Sequence, residues 1–357
     1  MMSTIKIAVI GAGWWGTTAH IPALKENPRA DIVIIDKNPD ALRAAARKYD
    51  VSETYTSLDD ALNAHNDIQG AIVAVPHQAH YEAAKEVLEA DLHLLLEKPM
   101  VLTAKHAKEL VDLAAEKKRE ILMGYTFPYI DSMQSAKKRL DEGLIGDIEY
   151  VTCSMTSMTI EYYRGNPKAY ERHFNFPVTG PTEKTYADPA VAGGGQGHLQ
   201  ITHSAAMMFH FAPALRAEIV SAFMNRLDTQ VDVCDAIAVR MTSGAVATVG
   251  STGNIGKGDS GIVEVHLHGS RGRLLADAIT GNVFIRLHDG HEERLVSANP
   301  AYPTFVPANC FVEMILDGAE NRFPASHDGL YTVELLEAAY RSAAQEGMPV
   351  RVASLYE

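Results

Sequence analysis

The segment Ile5–Ile10 is a short apolar, β-branched run that breaks at once into Gly11-Ala12-Gly13-Trp14-Trp15-Gly16. Nothing else in the chain restricts the fold as strongly. An apolar run without polar alternation suits a strand buried on both faces, as in a parallel sheet. Glycines at that spacing, directly after such a strand, permit a tight turn into a helix that packs closely on the strand. The alternation continues with apolar runs at Ile32–Ile35, Ala71–Val75 and Leu92–Leu96. Between them, Asn38-Pro39 reads as the cap and first-turn proline of a helix through Lys48. Thr103 caps another, with Ala107, Leu110, Val111 and Ala114 on one stripe. Strand–helix alternation predicts right-handed crossovers and a doubly wound parallel sheet.

Near Gly124 the pattern changes. A helix is expected over Ile130–Glu142, followed by longer strands at Ile148–Thr159, Ala217–Asn225, Ala236–Met241, Ala245–Ser251 and Ile262–His268. Gly269-Ser270-Arg271-Gly272 is a turn leading to a further strand, and helices return near Cys310–Leu316 and Tyr331–Ala344. The expectation is an α/β domain over 1–124 and an α+β domain over 125–357 with a large, mostly antiparallel open sheet, its last helices free to pack back on the first domain. A chain of 357 residues accommodates two domains. The net charge of -13 disfavours nucleic acid and anionic membrane as partners. No apolar run approaches the ~20 residues of a membrane span. The N-terminus does not read as a signal peptide, and three scattered cysteines do not make a disulfide framework, so a cytoplasmic location is expected.

The strand–glycine–helix context turns Gly11, Gly13 and Gly16 into a dinucleotide signal, with Gly13 letting backbone approach a pyrophosphate and the helix N-terminus receiving it. Asp36 ends the second strand about 20 residues later, where a carboxylate holds ribose hydroxyls and repels a 2′-phosphate. The expected cofactor is NAD, with NADP possible, since the neighbouring Lys37 can soften that preference. Trp14 and Trp15 either shield the cofactor or pack the loop. The first domain is therefore expected to be a Rossmann fold.

Glu97-Lys98-Pro99 closes the strand Leu92–Leu96, so Lys98 sits at the strand edge that faces the ligand crevice. Burial and a positive nicotinamide ring would each lower its pKa from ~10.4 and fit it to take a proton from a substrate hydroxyl. Downstream, Gly193–His203 leads into an apolar helix. Gln196, Gln200 and His203 fall on one face by i, i+4, i+7 spacing, suited to several hydroxyls, and His198 or His203 suits a proton relay. Tyr125 and Tyr186 are candidate walls for the substrate crevice, with Tyr162, Tyr163 and Arg164 in the same group. Glu264, His266 and His268 share a strand face that reads as polar surface, and no metal site is expected.

Together these landmarks resemble the Gfo/Idh/MocA family of glucose–fructose oxidoreductase and inositol dehydrogenase-like proteins. The resemblance runs through Gly11–Gly16, Ala74-Val75-Pro76-His77 with His80, Glu97-Lys98-Pro99, Gly124-Tyr125, Gly143–Gly146, Gly193–His203 and Asp328-Gly329-Leu330. It implies hydride transfer between NAD(P) and a ring hydroxyl of a sugar, glycoside or cyclitol, with Lys98 catalytic and the Lys98–Pro99 peptide cis. It implies a cofactor site that includes Val75, Pro76, His80, Glu97 and Lys98, and a homodimer or homotetramer joined through the open sheet face. The family commonly has an aspartate four residues before the histidine matched by His203; Leu199 stands there in this chain. Two other functions stay open: an NAD-dependent glycosidase or lyase using transient sugar oxidation, and a non-catalytic nucleotide-binding sensor.

Overall fold

A computed structural model describes residues 3–174, 176, 178–318 and 324–357. The first sheet contains β1 (Ile5–Ile10), β2 (Ala30–Ile35), β3 (Thr54–Tyr55), β4 (Ile68–Val73), β5 (His93–Leu96) and β6 (Ile121–Met123). Every pairing is parallel and the order is β3-β2-β1-β4-β5-β6. The order reverses between β1 and β4, which opens a crevice at the carboxyl ends of those strands. Asn38 caps the helix Pro39–Tyr49, its side chain accepting from the Asp40 and Ala41 N–H groups. Thr103 likewise caps Ala104–Lys117, which buries Ala104, Ala107, Leu110 and Ala114, with Val111 only partly covered.

The second sheet contains β7 (Ile148–Thr156), β8 (Ala217–Asn225), β9 (Cys234–Met241), β10 (Val246–Thr252), β11 (Ile262–Gly269), β12 (Gly272–Asp277), β13 (Asn282–Leu287), β14 (Glu292–Val296) and β15 (Val350–Arg351). Its order is β14-β13-β12-β11-β7-β10-β9-β8-β15, antiparallel except for β7 beside β10. One face is apolar: Val151, Cys153, Val263, Val265 and Leu267 pack with the helices Thr202–Phe211 and Ser326–Ala343. The other face carries Tyr150, Val246 and Ile262, all exposed.

β13 and β14 escape a reading by apolar alternation. Glu292, Glu293 and Arg294 give β14 a charged pattern, the ordinary protection of a sheet edge. The helix Val306–Asp317 packs on the first sheet, with Phe311 and Val312 in the cluster that contains Ile7 and Ile72. The helix Ser326–Ala343 touches both layers, as Leu330 and Val333 join the core of the first sheet and Leu335 and Leu336 that of the second. No helix among the described residues is long and apolar enough to cross a membrane.

Candidate active site

The glycine turn sits at the carboxyl end of β1. Gly11 has φ +112°, and a Cβ there would lie 2.4 Å from the Ala74 carbonyl oxygen; one at Gly16 would lie 2.0 Å from the Gly11 carbonyl oxygen. A Cβ on Gly13 meets nothing within 4 Å. Gly13 therefore borders open space at a helix start, where free N–H groups suit a pyrophosphate. Asp36 lies beside this turn: Oδ2 accepts the Ala12 N–H at 2.6 Å and Oδ1 accepts the Asn38 N–H at 2.7 Å. Lys37 is exposed.

The two tryptophans divide their work. Trp15 donates its indole N–H to Glu97 Oε1 at 2.9 Å. Trp14 packs among Tyr162, Phe176 and Tyr186, with ring centroids 5.8, 5.1 and 6.4 Å away. Those aromatics belong to the segment after β7, which crosses the glycine turn; the Thr179 hydroxyl donates to the Ala12 carbonyl at 3.4 Å.

Glu97 and Lys98 face different neighbours. The Glu97 carboxylate is buried and engaged by Trp15, by His20 Nε2 at 2.8 Å, and by the Lys98 N–H at 3.2 Å. His80 holds the turn from the other side, its ring nitrogens 2.7 Å from the Pro99 carbonyl oxygen and 2.9 Å from that of Val75. The Lys98–Pro99 peptide is cis. Lys98 Nζ reaches the other layer and donates to the Leu199 carbonyl at 3.1 Å. Burial pulls the Lys98 pKa down to about 8, with the Glu97 charge opposing.

Two histidines, His77 and His203, lie within electrostatic reach of this amine, and His198 lies within reach of His77. Burial lowers the pKa of His77, with His80, Lys98 and His198 adding to the effect. Its Nδ1 lies 3.0 Å from the Ala192 carbonyl, which can only accept; Nδ1 therefore carries the proton and Nε2 keeps its lone pair. His203 is held well below its ordinary value by burial and by Lys98. Burial also lowers His198, with Asp232 opposing. Pro76 is exposed, and Val75 and Tyr186 are half-buried, Tyr186 with its ring 5.8 Å from that of His77.

Two expected substrate contacts turn inward. Tyr125 is fully buried and its hydroxyl pairs with Thr202 Oγ1 at 3.1 Å. The Gln196 carboxamide is consumed by Tyr163, Thr159 and Ser251 at 2.7, 3.0 and 2.7 Å. The cause of the second is helical phase. Residues 197–201 form a π turn, whose i→i+5 bonding adds a residue and breaks the regular spacing expected for Gln196, Gln200 and His203. Gln200 remains half-exposed. His20 and His77 gained no role from sequence alone, though His20 lies one turn beyond Gly16. Asp232 and Tyr340, which meet beneath His198, had no local signal at all. No group of three or more metal-ligating side chains gathers among the described residues.

Residues 5–125 match the oxidoreductase family with an NAD-binding Rossmann fold, GFO_IDH_MocA. The first domain belongs to the Gfo/Idh/MocA oxidoreductase family. An inositol 2-dehydrogenase from Rhizobium meliloti is 24% identical over 359 residues, covering 96% of this chain and 98% of the relative. An uncharacterized oxidoreductase from Synechocystis is 27% identical over 227 residues, 63% of this chain and 56% of that relative's length. The structure of an inositol dehydrogenase homolog from Azotobacter vinelandii with NAD+ superposes with a TM-score of 0.82, at 18% identity and 98% coverage of both chains. The open space at Gly13, the carboxylate at Asp36 and the switch point between β1 and β4 fit the dinucleotide that this family binds.

Proposed function

We propose that this oxidoreductase transfers a hydride between NAD and a ring hydroxyl of a sugar, glycoside or cyclitol. The observation that carries the reading is the half-buried Lys98 amine, at the end of a parallel strand beside the coenzyme crevice, with its pKa drawn to about 8. Bound NAD supplies the hydride acceptor in oxidation and the donor in reduction. Lys98 binds the reacting hydroxyl and takes its proton in oxidation, a task suited to a base that titrates near the working pH. His203 is the next proton-bearing group inward, and the unprotonated Nε2 of His77 offers a second acceptor. Gln200, His198 and Tyr186 orient the remaining ring hydroxyls. Asp36 favours NAD over NADP because its charge repels a 2′-phosphate. The named activity of the Rhizobium relative supports a cyclitol or sugar ring as the substrate class.

A second reading rests on the segment that crosses the glycine turn. Thr179 on Ala12 and the aromatic packing around Trp14 stand over the coenzyme entrance. A coenzyme retained there would favour a redox-neutral cycle, in which transient oxidation permits cleavage of a glycosidic bond and is then reversed. The exposed Tyr150, Val246 and Phe223 suit the second sheet to self-association as a homodimer or homotetramer.

One assay tests both readings: purified protein with NAD and a panel of sugars, inositols and glycosides, followed by nicotinamide absorbance and product analysis. Net NADH supports the dehydrogenase. Cleavage without net NADH supports the redox-neutral cycle. Ligand binding with neither outcome across the panel would leave a nucleotide-binding sensor and sink both.

A further inference from the structure

Directly beneath the turn that meets Lys98 lies a polar junction formed by residues with no part in the crevice. Asp232 is 3% exposed. Its Oδ1 accepts the Gly195 N–H at 2.7 Å and the Tyr340 hydroxyl at 2.8 Å, and its Oδ2 accepts the Gly197 N–H at 2.7 Å. Its backbone carbonyl accepts the Gln196 N–H at 2.9 Å. One residue thus satisfies three N–H groups that the start of a helix leaves free, with its negative charge at the positive end. The Tyr340 ring lies flat against His198, centroids 4.7 Å apart and planes 10° from parallel.

The glycines of this turn are explained by the same two residues. A Cβ on Gly195 would stand 2.0 Å from the Asp232 carbonyl oxygen; on Gly194 and Gly197 it would stand 2.2 and 2.5 Å from the Tyr340 hydroxyl oxygen. The close approach that sequence reading reserves for a ligand is taken by protein. Asp235, buried beside Asp232, has its carboxyl pushed up to about 9 by burial and by the Asp232 charge, so it is neutral at physiological pH.

We propose that Asp232 and Tyr340 are positioning residues that hold the turn 197–201 so that the Leu199 carbonyl receives the Lys98 amine. A backbone carbonyl then orients the amine. The kinetic consequence rests on Lys98 being the proton carrier proposed above; the placement of the amine does not. Around Lys98 the charged and titratable neighbours are Glu97, His77 and His203; around Asp232 they are Asp235, His198, Tyr163 and Tyr340.

The test uses the full chain with NADH bound and two variants, Asp232→Asn and Tyr340→Phe. The Lys98 titration is followed by NMR from the ¹³Cε shift of labelled lysine, assigned by its loss in Lys98→Arg. A carbonyl that accepts from an ammonium favours the charged form, so its displacement lowers the midpoint. The expected fall is about half a pH unit or more, roughly a threefold shift of the equilibrium. NADH affinity should stay within about twofold, and turnover on any substrate found should drop roughly tenfold with little change in KM. Wild-type midpoints in both folded variants would overturn the positioning role, with or without a substrate in hand. If Asp232→Asn does not fold, Tyr340→Phe, which keeps the ring against His198, decides alone. A shifted midpoint with unchanged turnover would uphold the positioning and instead refute Lys98 as proton carrier.

Discussion

The turn at Gly11–Gly16 and the turn at Gly193–Gly197 each lead into a helix that opens with a π turn, Gly16–His20 in one and Gly197–Ile201 in the other. In the first, Gly11 and Gly16 are required by neighbouring backbone while Gly13 faces open space. In the second, a side chain on Gly193, Gly194, Gly195 or Gly197 would run into Leu102, Tyr340 or Asp232. The first turn is shaped for a ligand and the second for its own protein. A glycine cluster near a crevice is therefore weak evidence for ligand contact until what occupies its Cβ positions is known. The second turn touches Lys98 only through the Leu199 carbonyl.

The contrast can be broken experimentally. The largest effect is expected where the two turns meet: Lys98→Ala should cut turnover by roughly 10²–10⁴ while NAD binding persists, and steady-state rates near wild type would remove Lys98 from the mechanism. Next is pH. With Lys98 needed as the neutral amine, kcat/KM for oxidation should fall about tenfold per unit below pH ~8 and level off above it, while reduction shows the opposite dependence; a flat profile between pH 6 and 8 would refute the assignment. The paired variants Gly13→Ala and Gly195→Ala probe the turns themselves. Gly13→Ala should weaken NAD roughly tenfold, about 1.4 kcal/mol, and leave the melting temperature unchanged. Gly195→Ala should cost about 1–3 kcal/mol of stability through overpacking. Calorimetry with NAD titration checks both, and a reversed pattern would mean the turns have been assigned the wrong way round. The smallest effect is expected from Asp36→Ala, a several-fold loss of NAD affinity with relaxed rejection of NADP; equal affinities before and after would leave the ribose unassigned.

The four central strands of the first sheet were legible because their signals are local. Ile5–Ile10, the spacing of Gly11, Gly13 and Gly16, and the cap at Asn38 each act within a few residues, and hydrophobic period and turn chemistry suffice to read them. Lys98 was legible for a similar reason, since a strand followed by proline fixes which edge of the sheet it occupies. The carboxylate at Asp36 needed only its distance from the glycines. What tertiary structure alone decided is which groups were already spent. Gln196 and Tyr125 belong to residue types that bind hydroxyls, but burial gave their polar atoms protein partners. Asp232 and Tyr340 lie 35 residues and more from the glycines they support and meet them only through the packing of the second sheet and the long helix Ser326–Ala343. A π turn shifted the helical phase by one residue, and no count of sequence spacing registers a change in hydrogen-bond pattern that long-range contacts impose.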